Sequence, residues 1–350
     1  MNEPKNSHQE ALNVAVVGAT GAVGKTLLTC FEERGLPISR LVPLASSRSV
    51  GSVVRFRGAE IAVAEATPEG FDGVHFAFFA ATGSLSKSLA PEAVARGAVV
   101  IDKSSTWRMD DDVPLVIPEI NAAALDDHRG IIACPNCTTI GAAMVLEPIR
   151  RAAGLRRVVI TTLQAVSGAG LPGIDELELQ NQAWSDGEVP LVSQFAAPIA
   201  HNVLPICDDF STTSGVDSSY TLEELKLRDE MRKIFALPDL DVTMTCVRVP
   251  VEVGHSAAIL VETTTPLGAA EAQRVLSEFP GVRLIEDQRE APTPRCVAGS
   301  DEVWVGRVRE DLSGAGIWLW EVSDNLRKGA ATNSVQTAET VIERGLLHSG

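Results

Sequence analysis

A short apolar run, Asn13 to Val17, stops at Gly18, and glycines follow at 21 and 24. Behind them Val23, Leu27, Leu28 and Phe31 recur at helical spacing up to Gly35. This is a strand, a glycine turn and a helix, a unit that needs a parallel neighbour to bury both faces of its strand. Further β-like runs over 41–45, 74–80 and 98–101, with a helical pattern over 86–95, repeat the alternation. The spacing predicts an α/β domain built on a doubly wound parallel sheet. Gly18, Gly21 and Gly24 also suit a turn bare enough of Cβ atoms to bring backbone N–H groups and a helix N-terminus onto a pyrophosphate. The same glycines would serve a sharp turn with no ligand.

The pattern changes after residue 137. A helix over 138–153 precedes longer β-type runs at 157–166, 242–249, 256–264, 302–308 and 316–322. Helical patterns thin to 175–184, 222–235 and 269–279, and the Ser/Thr/Asp-rich stretch 208–219 reads as a loop. A second, α+β domain with a mostly antiparallel sheet is expected. In its last strand Ile317 and Leu319 alternate with Trp318 and Trp320, so both sheet faces need cover, one of them from a second subunit.

At 350 residues a core needs no disulfide support, and six cysteines lie without framework spacing. The first thirteen residues are polar, with no apolar leader, and no apolar run approaches the roughly 20 residues of a membrane span. A cytoplasmic protein away from membranes is expected. A net charge of −16 without a basic run excludes nucleic acid as a partner.

Two stretches carry chemistry. After the second strand, Ser46-Ser47-Arg48-Ser49 offers hydroxyls and a guanidinium and no acid, which suits a 2′-phosphate and favours NADP over NAD. Cys134-Pro135-Asn136-Cys137 has no second ligand pair for zinc, so no metal is expected, and it sits too far along the chain for a thioredoxin-type dithiol. Cys137 opens a helix that Thr138 or Thr139 can cap, and the helix dipole would lower its thiol pKa. It is a candidate nucleophile; a buried inert cysteine fits these residues equally. Downstream, Gln164 ends a strand, and Arg248 and His255 fall at neighbouring strand ends around Pro250 and Gly254. A histidine beside a thiol can act as general acid and base.

The stretches VAVVGATGAVG, PNCTT, QAVSGAG, RVPVEVGHS and VSDNLRKGAATNSVQ together resemble the bacterial type of aspartate-β-semialdehyde dehydrogenase, in order from about residue 13 to 347. The resemblance implies a Rossmann-like domain over 1–136, a catalytic and dimerisation domain over 137–325, and a last helix within 326–350 that packs back on the first domain. It implies NADPH-dependent reduction of β-aspartyl phosphate on the way to lysine, threonine, methionine and diaminopimelate. Cys137 would form the thioester, His255 would exchange the proton, Gln164 would orient the intermediate, and Asn136 would face the oxyanion. Arg248 would hold the substrate carboxylate, Arg108 and Lys226 the phosphate, and Glu223 the ammonium. Thr20, Gly21, Ala22, Val23, Ser47, Arg48, Ser167, Gly168 and Asn325 would hold the cofactor. A homodimer is implied, with a tetramer as the larger alternative.

Lys103, where many relatives carry Asn, and Cys134, where many carry Asn, depart from the pattern; an oxidative Cys134–Cys137 disulfide would silence the enzyme. One rival reading is N-acetylglutamyl-phosphate reductase, whose acetylated amine would not want Glu223. A nucleotide-binding relative without catalysis is the other, and the intact Cys137, Gln164, Arg248 and His255 oppose it.

Overall fold

The structure, a computed structural model, describes residues 11–212 and 218–347. Residues 1–10 of the polar N-terminal stretch, five residues of the 208–219 loop and the last three residues lie outside the described residues. The first half runs β1 (Leu12–Val17), α1 (Ala22–Glu33), β2 (Ile38–Ala45), a hairpin of β3 (Val53–Phe56) and β4 (Ala59–Ala62), β5 (Ala64–Glu65), β6 (Phe76–Phe79), α2 (Gly83–Ala95), β7 (Val99–Asp102), α3 (Pro118–Asn121) and β8 (Ile131–Ala133). Six strands pair in the order β5-β2-β1-β6-β7-β8, every pair parallel. All four residues of β6 are buried, as a strand covered on both faces requires. Phe31 of α1 meets Phe78 edge-on at 5.0 Å. The chain leaves β1 for β2 on one side and returns to β6 on the other, which opens a crevice at the carboxyl ends of these strands.

The second half holds α4 (Cys137–Ala153), β9 (Arg157–Gln164), α5 (Leu171–Asp186), α6 (Leu222–Phe235), β10 (Asp241–Arg248), β11 (His255–Glu262), α7 (Ala269–Ser277), β12 (Val282–Leu284), α8 (Pro294–Val297), β13 (Val303–Glu310), β14 (Ile317–Ser323) and α9 (Thr332–Glu343). Its sheet, ordered β10-β9-β11-β14-β13-β12, is antiparallel at its three inner pairs and parallel at both edges. The mostly antiparallel α+β expectation is met. One face is filled: Ile140, Met144, Val145 and Ile149 of α4 share a core with Ile160, Ile259, Ile317 and Leu319. Gly141 lets α4 close down on β14, since a Cβ there would lie 2.3 Å from Glu321 Oε1. On the other face Trp318 and Trp320 are only half-buried.

The short pieces β5, β8, β12, α3 and α8 carry too little periodicity to be read from sequence. A π-helical turn, Arg327–Ala331, leads into α9. Ala331, Val335, Ala338 and Val341 join the core around Leu27 and Phe31 of the first half. Lys328, fully buried, reaches Glu119 at 2.7 Å, and Arg34 reaches Glu339 at 2.6 Å.

Candidate active site

A cleft of about 1740 Å³ lies at the crevice between the two sheets. One end is made of backbone. Gly18 has φ +84°, and a Cβ there would stand 2.3 Å from the Ala80 carbonyl oxygen. A Cβ on Gly24 would stand 2.2 Å from the Gly18 oxygen. Gly21 caps α1 with no side-chain bond, so the first N–H groups of that helix remain for an anion. This cradle fits a dinucleotide pyrophosphate. Thr20, Gly21, Ala22 and Val23 line it, whereas Gly24 stands behind and acts by letting the turn close. At the end of β2 the wall includes Ser46, Arg48 and Ser49, and Ser47 begins the short 3-10 turn that carries the last two.

The other end is made of side chains on three strand ends. Gln164 closes β9 and pairs in register with Arg248 of β10; β11 lies on the other side of β9 and begins at His255. Arg248 and His255 are therefore not adjacent strand ends, as the sequence suggested, but flank Gln164. Gln164 donates to Thr162 Oγ1 at 3.3 Å, and Arg248 Nη1 donates to the Ala165 carbonyl at 2.7 Å. The Ala165 N–H donates to His255 Nδ1 at 2.9 Å, so the neutral ring carries its hydrogen on Nε2. Nε2 is buried without a partner. A Cβ at Gly168 would meet it at 3.5 Å and Arg248 Nη1 at 2.7 Å, which is why the turn before α5 carries glycine there. His255 thus packs against Gly168, which lines the cleft. Burial first, then the charges of Arg248 and Lys103, hold its pKa well below the ordinary value, so the ring is neutral at pH 7. Asn325 exchanges hydrogen bonds with Ser167 and accepts from the Gly254 N–H at 2.8 Å, which fixes both loops around the ring.

Cys137 is the first residue of α4. Asn136, not a threonine, caps it: Asn136 Oδ1 accepts from the Thr138 N–H at 2.8 Å, while the Thr138 and Thr139 hydroxyls are buried without partners. Asn136 Nδ2 donates to Glu223 Oε1 at 2.9 Å. Its backbone N–H donates to Glu230 Oε2 at 2.7 Å, and Glu230 Oε1 accepts from Arg108 Nη1 at 2.8 Å. Arg108 also grips the Cys134 and Lys103 carbonyls, at 3.0 and 2.7 Å. Burial opposes its charge, and Glu230 more than offsets that, so the guanidinium stays charged. Lys226 pairs with Asp208 at 2.5 Å and with Glu223 at 3.4 Å.

Glu223, Lys226 and Glu230 stand at i, i+3 and i+7, one face of α6. Sequence reasoning stopped at Lys226; the heptad spacing was the signal that would have reached Glu230. Lys103, which the sequence marks only as a departure from the family pattern, lines the cleft and donates to the Pro135 carbonyl at 3.2 Å.

The lowered thiol pKa is not found. Burial raises it and Glu223 adds to the rise, while Lys103, Arg108 and Arg248 pull it down. Thiolate at Cys137 therefore depends on the surrounding cations. Cys134 is 2% exposed, and its sulfur accepts from Asn333 Nδ2 at 3.4 Å. Among the described residues no group of histidine, cysteine and acidic side chains could hold a metal ion, and no helix is long and apolar enough to cross a membrane.

Fold and site together define a two-domain, nicotinamide-dependent oxidoreductase. Residues 13–128 match the family described as semialdehyde dehydrogenase, NAD binding domain, and residues 146–328 match semialdehyde dehydrogenase, dimerisation domain. The chain belongs to the aspartate-semialdehyde dehydrogenase family, enzymes of amino-acid biosynthesis. It is 47% identical to the aspartate-semialdehyde dehydrogenase of Bacillus subtilis over 347 residues, covering 96% of this chain and 99% of that one. The Aquifex aeolicus enzyme is 47% identical over 341 residues, 95% of this chain and 99% of its own. A crystal structure of aspartate semialdehyde dehydrogenase II from Vibrio cholerae, complexed with ASA, superposes with a TM-score of 0.92 at 44% identity, covering 95% and 99% of the two chains.

Proposed function

We propose that the chain reduces L-4-aspartyl phosphate to L-aspartate 4-semialdehyde and phosphate with NADPH, through a thioester on Cys137. The observation that carries the reading is the position of Cys137: first residue of a capped helix, in one cleft with a glycine cradle and a cluster of cations.

Arg248, with no carboxylate partner among the described residues, is free to take the substrate carboxylate bidentately. Glu223 faces the ammonium, and Arg108 and Lys226 the phosphate. The Cys137 sulfur attacks the acyl carbon, and phosphate departs with the bonding electrons. The glycine cradle would hold NADPH, whose chemistry there would be hydride delivery that takes the acyl group to the aldehyde level. His255 Nε2 donates a hydrogen bond to the oxygen as negative charge gathers on it, and collapse returns the thiolate. Anionic substrate beside Arg248 and Lys103 offsets the charges that suppress protonation of His255, so its acid/base capacity rises with binding. Gln164, buried at the end of β9, orients the intermediate.

The glycine cradle, Ser46, Arg48 and Ser49 would hold the cofactor, with Arg48 toward a 2′-phosphate; Ser167, Gly168 and Asn325 would hold its nicotinamide end. The product would serve lysine, threonine, methionine and diaminopimelate synthesis. Half-buried Trp318 and Trp320 support a homodimer across the open face of the second sheet, and six free cysteines agree with a cytoplasmic setting.

The test is phosphate-dependent NADP reduction with aspartate semialdehyde, run beside N-acetylglutamate semialdehyde and beside NAD. Cys137→Ala should lower turnover by roughly four orders of magnitude while NADP affinity stays within about twofold. Retained turnover would refute the thioester.

A further inference from the structure

The thiol end of the cleft holds four cations, and three have assignments. Arg108 is engaged by Glu230 and two carbonyls, Lys226 by Asp208 and Glu223, and Arg248 by the Ala165 carbonyl alone. The fourth, Lys103, leaves the carboxyl end of β7 and is half-buried in the cleft wall. Among the described residues its side chain makes one hydrogen bond, to the Pro135 carbonyl at 3.2 Å, two residues before Cys137. No carboxylate pairs with it among the described residues. An ammonium has three donors, so two remain. Its backbone is fixed on both sides: the Lys103 N–H donates to the Phe79 carbonyl at 2.9 Å, and its own carbonyl accepts from Arg108 Nη2 at 2.7 Å. Lys103 and Arg108 are thus locked together, one neutralised by a carboxylate and the other not.

We propose that Lys103 is a phosphate-binding residue of the reaction, the uncompensated charge that meets the phosphoryl group displaced by Cys137. The inference rests on the reading of the site as an acyl-phosphate reductase. When the C–S bond forms and the C–O bond breaks, the electron pair leaves with the phosphate, which takes up a proton from solvent. Charge thereby builds on a group with several negative oxygens. Arg108 and Lys226 already face carboxylates, so their net field on a dianion is small; Lys103 brings a full positive charge. Its field also falls on Cys137, where among the surrounding cations it is the largest influence favouring thiolate.

The test measures KM for inorganic phosphate in the oxidative direction for wild type, Lys103→Met, Lys103→Asn and Lys103→Arg, together with the pH profile of Cys137 alkylation by iodoacetamide with and without phosphate. Loss of the charge should raise the phosphate KM about tenfold or more, the equivalent of one charge-assisted hydrogen bond. The KM values for aldehyde and NADP should stay within about twofold, and phosphate should protect Cys137 less well in the Met and Asn variants. Lys103→Arg should keep the phosphate KM near wild type. An unchanged phosphate KM with a shifted alkylation profile would overturn the proposal and leave Lys103 a thiolate partner only. Equal loss in all three variants would overturn it in favour of a structural tie to Pro135. Absence of phosphate-dependent turnover in the wild type would instead overturn the reading of the site itself.

Discussion

The two ends of the cleft are built by opposite means. At the nucleotide end the working surface is backbone: glycines at 18, 21 and 24 and a helix start without a side-chain cap. At the thiol end it is a net of charged side chains, Glu230 to Arg108, Glu223 to Asn136 and Lys226 to Asp208, drawn from both halves of the chain. The contrast teaches where each end is vulnerable. A backbone site fails when an atom is added, and a side-chain site fails when a partner is removed.

The sharpest attempt to break that contrast is Glu230→Gln. Both groups it serves are donors, so an amide nitrogen would face either Arg108 or the Asn136 N–H, and Arg108 would keep its charge with no counterion. We expect a loss of about 3–5 kcal/mol in stability by urea unfolding, with a fall in kcat/KM and little change in NADP affinity. Next is Glu321, whose carboxyl burial pushes up to about 8 under Gly141. Its folded pKa lies above its unfolded one, so the native state holds a proton that the unfolded chain releases. Stability from this group is complete below the unfolded value near 4.5 and declines as pH rises toward about 8. Glu321→Gln should remove that decline, with a gain on the order of 3 kcal/mol at pH 7 and none at pH 4; an unchanged slope in unfolding at pH 5, 7 and 9 would refute it. The smallest effect belongs to the other end. Gly24→Ala sets a methyl 2.2 Å from the Gly18 oxygen and 2.8 Å from Ala19 Cα, all backbone that must shift. About 1–3 kcal/mol of destabilisation is expected, with weakened NADP binding by calorimetry and an unaltered rate of Cys137 alkylation.

The same contrast explains what could be read in the sequence. The glycine turn is local: one strand, three glycines and one apolar helical stripe within about twenty residues carry the whole message. Helix α6 was legible too, bounds included, because its capping box at Thr221 and Glu224 and its apolar spacing lie in one segment. Cys137 as the start of a helix was legible; which residue caps it was not, because Asn136 and the threonines are equally good caps on paper and only packing buries the hydroxyls. The direction of the thiol shift was hidden for a related reason. Helix position is local, but burial is set by distant elements such as Gly329, where a Cβ would stand 3.0 Å from Cys137 Cβ. Glu230 and Lys103 are ordinary surface residues until strands and helices far apart in sequence are brought beside them.

The return of α9 to the first half has a consequence for how the chain is made. Val335, Ala338 and Val341 complete the core that begins with Val14, Val16 and Phe31, and Lys328 reaches Glu119. A ribosome that has released only the first 300 residues has therefore produced a nucleotide half with an open apolar seam. That half must wait for α9 to emerge before it can close, and during the wait it is the part of the nascent polypeptide most exposed to chaperones and to aggregation.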